Sequence, residues 1–315
     1  MKIIATRNIE KVEKDENPRP CRSMEHASMK RNVLLTHVLA FSLLFMTVLV
    51  PVRQAAHAQG NTPKDFVPPV VFQAAAPASD PIQGIQSMVD AFRAALGDPN
   101  NGNNPPPLDR SGHREINWDG VGSPTNTTPP VTPFNTFQNT RGALFTTPGI
   151  GLSQATPAGL AVLFNNPNYE TDFSTFSRFR LFTPVGSNVT EAFFFVPGSN
   201  GHELATVRGF GAVFTDVDQP DGSGPGKKQG NREASTLMEY FDAYGQLLFS
   251  GFVPASPGDG SLSFFGVVFD DARIAQVRIT AGNVAPGPDD DGKNDIVMMD
   301  DFIYGEPQPF IKETR

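Results

Sequence analysis

Nine aspartates stand out by where they sit. Asp216, Asp218 and Asp221 crowd one stretch (DVDQPDG), Asp289, Asp290, Asp291 and Asp295 a second (DDDGKND), and Asp300 and Asp301 follow soon after. Carboxylates this close repel one another unless they are solvated, hydrogen-bonded, protonated or neutralised by a cation. Outside a cell that cation is calcium, which takes about six to eight oxygen ligands. In a strand, alternate side chains share a face, so Asp216 and Asp218 point the same way and one of Asp300 and Asp301 must turn inward. The expectation is a structural calcium held by Asp216, Asp218, Asp300 and Asp301. The plainer alternative makes both stretches solvated turns, with the inward aspartate capping backbone amides. EF-hand spacing is absent: with Gly292 at the loop's glycine, Gly287 falls where the first aspartate belongs.

Signatures of catalysis are few. After residue 58 the only histidines are His113 and His202, and His202-Glu203 has no second histidine at metalloprotease spacing. No G-x-S-x-G elbow occurs. Gly222 to Lys228 (GSGPGKK) lacks both the first glycine and the final Ser/Thr of a phosphate loop. Two carboxylates suffice for glycoside hydrolysis, and Glu115, Asp119 and Glu239 are the candidates. For holding a sugar without cleaving it, the useful group is an exposed Trp or Tyr, with its apolar face and polar edge. Tyr244 falls in a turn and Trp118 is the single tryptophan; these two are the candidate ligand-binding residues, although Trp118 alternates with Ile116 as a core residue would.

The elements that must carry these groups are mostly strands. Short apolar segments at Glu115–Trp118, Gly142–Thr146, Leu160–Phe164, Arg178–Phe182, Glu191–Val196, Arg208–Thr215, Ser235–Phe241, Gln246–Val253, Ser261–Phe269, Ile274–Thr280 and Ile296–Tyr304 are separated by Gly, Pro, Asn and Asp. That spacing predicts an all-β fold, an antiparallel β-sandwich, over 113–310. Phe241 to Gln246 reads as a hairpin, with Gly245 supplying the positive φ of a short loop. Upstream, residues 59–112 read as a tether containing one short amphipathic helix, 81–96. Asp80 and Pro81 open it, Gly97 closes it, and Ile82, Ile85, Met88, Val89, Phe92 and Leu96 keep helical spacing.

Before all of this, residues 1–58 read as a leader. Lys30 and Arg31, the apolar run Val33–Val52 and Ala56-His57-Ala58 describe a signal peptide cut after Ala58, which predicts a secreted or periplasmic protein with no lasting membrane span. Cleavage removes nine Lys+Arg and five Asp+Glu, leaving 16 against 28 and a formal net charge of −12 in place of −8. Such acidity argues against nucleic acid as a partner. The single Cys21 leaves with the leader, so no disulfide frames the fold. Residues 311–315 form a short tail.

Three segments carry a resemblance. Arg114–Val121 (REINWDGV), Gly209–Asp218 (GFGAVFTDVD) and Met299–Pro307 (MDDFIYGEP) resemble those of an uncharacterised group of secreted bacterial proteins, over roughly 80–310. The closing order over 208–305, a hairpin, a strand and a last strand with an Asp pair, is similar to jelly-roll domains of the galactose-binding or carbohydrate-binding kind. That similarity implies a jelly-roll sandwich, a polysaccharide or cell-surface component as partner, and an acidic residue of the last strand helping to hold calcium. The expected function is an exported, non-enzymatic binding module. A structural or adhesive protein of the envelope or matrix is the alternative, and a carboxylate-dependent hydrolase the enzyme class left standing.

Overall fold

The computed structural model describes residues 67–120, 126–218, 235–256, 258–288 and 294–310. The expected leader with its cleavage point, Cys21, Asp221, the Gly222–Lys228 loop, Asp289 to Asp291 and the tail lie outside the described residues. In chain order the first elements are β1 (Val70–Ala76), α1 (Pro81–Leu96), β2 (His113–Ile116), α2 (Gln138–Arg141), β3 (Ala143–Thr146) and β4 (Gly151–Ala155). Then come α3 (Pro157–Phe164), α4 (Tyr169–Asp172), β5 (Leu181–Val185), β6 (Val189–Phe194), β7 (Ala205–Thr206) and β8 (Gly209–Thr215). The last are β9 (Leu237–Phe241), β10 (Leu247–Phe252), β11 (Leu262–Val268), β12 (Gln276–Thr280), β13 (Met298–Gly305) and β14 (Gln308–Pro309).

The strands form two antiparallel sheets and a small β7–β14 pair. Sheet A runs β1-β11-β8-β13-β5-β4, with β2 also on β13; sheet B runs β10-β9-β12-β6-β3. One face of each sheet is apolar, and the two faces share a core. Phe210, Ala212 and Phe214 of β8 and Met299, Phe302 and Tyr304 of β13 cluster there with Ala192 and Phe194 of β6, Tyr240 of β9 and Val277 of β12. Strand alternation gives sheet B its pattern, as Met238 and Tyr240 are buried while Leu237, Glu239 and Phe241 are half-exposed.

Sheet A has apolar residues on its outer face as well, and these have their own cover. Ile85, Val89, Phe92 and Leu96 of α1 cluster with Val213, Phe264, Val268 and Ile303. The Phe92 ring lies over Gly211 and Gly266, which face each other across β8 and β11; a Cβ on either would stand 2.9 or 2.8 Å from that ring. Glycine is therefore what lets the helix settle onto the sheet. Further along, Leu160 and Phe164 of α3 and Tyr169 of α4 cover Leu181 and Met298.

Three expectations are corrected. Val70–Ala76, placed in the tether, is an edge strand in full register with β11, from Val70↔Val268 to Ala76↔Leu262; its alanines and half-exposed pattern hide a strand in composition. Leu160–Phe164 belongs to α3 instead of a strand. Thr156 caps the helix by accepting from the Gly159 amide, Pro157 takes the first turn, and Asn165 ends it in the left-handed region. Gly151–Ala155, absent from the expected strands, pairs with β5.

Candidate functional site

The last strand is where Asp300 and Asp301 sit, and it is not regular. β13 pairs with β8 at Met298↔Thr215 and Met299↔Phe214, then slips before Phe302↔Ala212. Two residues face one across this bulge, which lets successive side chains point the same way. Asp300 and Asp301 accordingly meet, both buried and each shifting the other's titration. Strict alternation, which would turn one of them inward, does not apply here.

Their crowding is relieved from within the protein. Asp300 Oδ2 accepts from the Phe176 and Ser177 amides at 2.6 and 3.2 Å, and Oδ1 from the Ser177 hydroxyl at 2.9 Å. Burial, then the charge of Asp301, pushes Asp300 well above the usual carboxylate range despite those donors. Asp301 is raised to about 6, chiefly by burial. The Asp301 carboxylate lies 3.9 Å from the Arg93 guanidinium of α1. Arg93 also donates from Nε and Nη2 to Glu115 at 2.9 and 3.0 Å. His113 faces Glu115 through Nε2 at 3.0 Å and the Gly97 carbonyl through Nδ1 at 2.7 Å, so a doubly protonated ring satisfies both acceptors. Burial opposes that charge, but the two acceptors outweigh it and raise the His113 pKa. Glu115 is likewise opposed by burial, yet its bonds from His113 and Arg93 hold it down to about 2. The result is a polar clasp that ties the C-terminal half of α1 to sheet A.

Asp216 and Asp218 form a separate set. Asp216 follows β8 with φ +66°, and the Asp218 amide donates to Asp295 Oδ1 at 3.3 Å while its carboxylate accepts from the Gly258 amide at 3.0 Å. The two aspartate-rich stretches thus do meet, through Asp218 and Asp295. From Asp216 to the bulge the ladder runs three residues, roughly 10 Å. The four aspartates are therefore not gathered as one ligand set. Among the described residues no group of three His, Cys, Asp or Glu is placed to hold a metal ion.

The candidate catalytic carboxylates are also apart. Glu115 is engaged in the clasp. Asp119 accepts from the Arg178, Phe179 and Arg180 amides at 3.0 to 3.1 Å and holds that turn. Glu239 stands on the outer face of sheet B, opposite Arg278.

Trp118 offers no platform to a ligand. It is fully buried, stacked on Phe182 at 3.7 Å and donating from Nε1 to the Asp300 carbonyl at 2.9 Å. Its alternation with Ile116 places it on the core face. Tyr244 is the opposite case, 65% exposed at the tip of the β9–β10 hairpin. The turn is built by Asp242, whose Oδ1 accepts from the Tyr244 and Gln246 amides at 2.8 Å each, and by Gly245 at φ +77°. Tyr244 packs edge-on to Phe310, ring centres 5.9 Å apart. Beside it opens a groove of about 250 Å³, lined by Phe193, Phe195, Leu204, Asp242, Gln276 and Phe310 among others.

The groove continues onto the outer face of sheet B. There Phe241, Gln276, Phe193 and Leu144 form one row across four strands, and Glu239, Arg278, Glu191 and Thr146 the next. Arg278 donates to Glu191 at 2.8 and 3.0 Å and lies over the Phe241 ring at 5.5 Å. Sequence reasoning found Tyr244 through its turn. It missed Phe310, Leu204 and Gln276, which arrive from strands and loops far along the chain.

No family model matches the chain, and comparison with curated proteins and with solved structures gives no match.

Proposed function

We propose that this protein is an exported, non-enzymatic binding module of jelly-roll type that holds a polysaccharide or another extracellular surface component. The binding region is the outer face of sheet B with the groove at its hairpin end. One observation carries the reading: Tyr244 is the exposed aromatic beside a groove, its ring fixed against Phe310. A sugar ring stacks its C–H face on such an aromatic, and a small, mostly apolar concavity with few polar groups is the usual form of a ligand site. Calcium is not needed by this reading, because Asp300 already has three hydrogen-bond donors and Asp301 has Arg93 beside it.

A glycan array probed with the wild type and with Tyr244→Ala tests it. The wild type binds a defined subset of glycans, and Tyr244→Ala weakens those hits about three- to tenfold, the range expected for one aromatic contact. Equal binding by both proteins ends this reading.

A second reading, a structural or adhesive protein with no small ligand, is favoured by β10. This strand (LLFSGF) is an edge of sheet B, carries no charge and exposes Leu247 by 54%. Such an edge can pair with another chain. Concentration-dependent association, lost on Leu247→Lys, with an empty glycan array would select it.

A further inference from the structure

The polar atoms around the groove all ask for the same kind of ligand, and this inference rests on the binding reading above. Asp242 spends Oδ1 on the Tyr244 and Gln246 amides, while Oδ2 accepts from no described residue. Gln276 donates an amide hydrogen to Glu191, Nε2 to Oε1 at 3.1 Å, and its carbonyl oxygen is left as an acceptor. Both are acceptors. Among the described residues no Lys, Arg or His lines the groove. The nearest cation on this face, Arg278, is engaged by Glu191 and covers Phe241, with Glu239 on its other side.

A rim with a free carboxylate oxygen and no described cation, around an aromatic floor, disfavours carboxylates, sulfates and phosphates and welcomes hydroxyl donors. We infer that the groove takes a neutral, hydroxyl-rich glycan unit, stacked on Tyr244 and donating hydroxyls to Asp242 Oδ2 and Gln276 Oε1, and that it rejects uronic and sulfated polymers. Asp242 is then a specificity-determining residue as well as the residue that builds the turn. The formal charge of −8 for the whole chain works in the same direction.

Affinity electrophoresis through gels containing dextran, β-glucan or galactomannan, against gels containing polygalacturonate or dextran sulfate, tests the inference with the full protein. Retardation is expected in at least one neutral gel and in neither acidic gel, and it should persist from about 50 to 500 mM NaCl, because no ion pair is being screened. Asp242→Asn keeps an oxygen for the turn amides but replaces the free acceptor with a donor. Its melting temperature should match the wild type, and its retardation in the neutral gel should fall roughly tenfold, as expected for a hydrogen bond to a charged group. Salt-sensitive retardation by an acidic polymer, with none by the neutral ones, overturns the neutral-ligand inference and leaves the binding reading standing. An Asp242→Asn variant that binds a neutral polymer unchanged removes Asp242 from the contact and overturns its role. No retardation in any gel sinks the binding reading and this inference together.

Discussion

Both sheets of this sandwich have an outer face, and they are treated differently. Sheet A's carries apolar residues and is covered, by α1 at one end and by α3 and α4 at the other. Sheet B's carries mixed rows of aromatic and charged side chains, and no helix of the described residues lies on it. The contrast separates a face that is packed from one that is left open. On sheet A, polar groups such as Glu115, Asp300 and Asp301 are there to fasten the cover. On sheet B, Tyr244, Phe241, Gln276 and Arg278 are held in place yet left open to solvent, which is where a ligand can reach them.

The sharpest way to break the contrast is to attack the covered side. Phe92→Ala removes the ring from the Gly211–Gly266 floor and should cost about 3–5 kcal/mol, the range for an aromatic removed from a core, read as a lower urea midpoint. Nearly as severe is Glu306→Leu. Glu306 pairs with Arg114 through two bonds of 2.8 Å, and Arg114 also donates to the Gly102, Thr140 and Asn104 carbonyls. Losing the partner of that buried guanidinium should cost about 3–5 kcal/mol.

A subtler effect comes from pH. Asp301 is raised to about 6 from an ordinary 3.8 and His113 is also raised. Each folded group binds its proton more tightly than the unfolded chain does, so the stabilisation is full below the ordinary pKa and is lost as pH rises through the folded one. Between pH 4 and 6 the Asp301 contribution therefore falls as pH rises, and His113 adds a further fall above pH 6.5. Melting temperatures measured across pH 4 to 8 should decline, and Asp301→Asn should flatten the lower part of that decline. Glu115, held down from 4.5 to about 2, works the other way: its stabilisation is complete above the ordinary pKa and is lost as pH falls towards 2, so it opposes the decline only at the acid edge of this range.

Arg180 should respond in the other direction. It is fully buried, and its guanidinium nitrogens have no hydrogen-bond partner among the described residues, the charge of Asp119 being what offsets its burial. Arg180→Met should raise stability by about 1–4 kcal/mol, the range seen when buried charges give way to apolar side chains of similar size, checked by the same urea midpoint. Smallest of all are changes on the open face. Glu239→Gln should move stability by no more than about 0.5 kcal/mol, as for surface substitutions generally.

Much of the sandwich was legible because its strands are short apolar runs rich in Phe, as in Gly209–Thr215 and Leu262–Val268, or alternate, as in Leu237–Phe241. α1 was legible for the same reason at helical period, with Asp80, Pro81 and Gly97 marking its ends. Leu160–Phe164 misled because a short run that is apolar on every side has no period to read, and only the capping pair Thr156–Gly159 distinguishes it. The bulge in β13 left no mark in composition, so the direction of Asp300 and Asp301 could not follow from alternation. Tyr244 was visible through its turn residues. Its setting was not, because Phe310 and Leu204 reach the hairpin only through the β7–β14 pair.

The pairing of β1 with β11 has a practical corollary. A shortened protein starting at His113, where the strand pattern first becomes obvious, would lack β1 and α1 and leave Val213, Phe264, Val268 and Ile303 bare. The paired strands run from Val70 to Pro309, and trimming inside either limit should yield sticky, poorly soluble material where a clean domain was wanted.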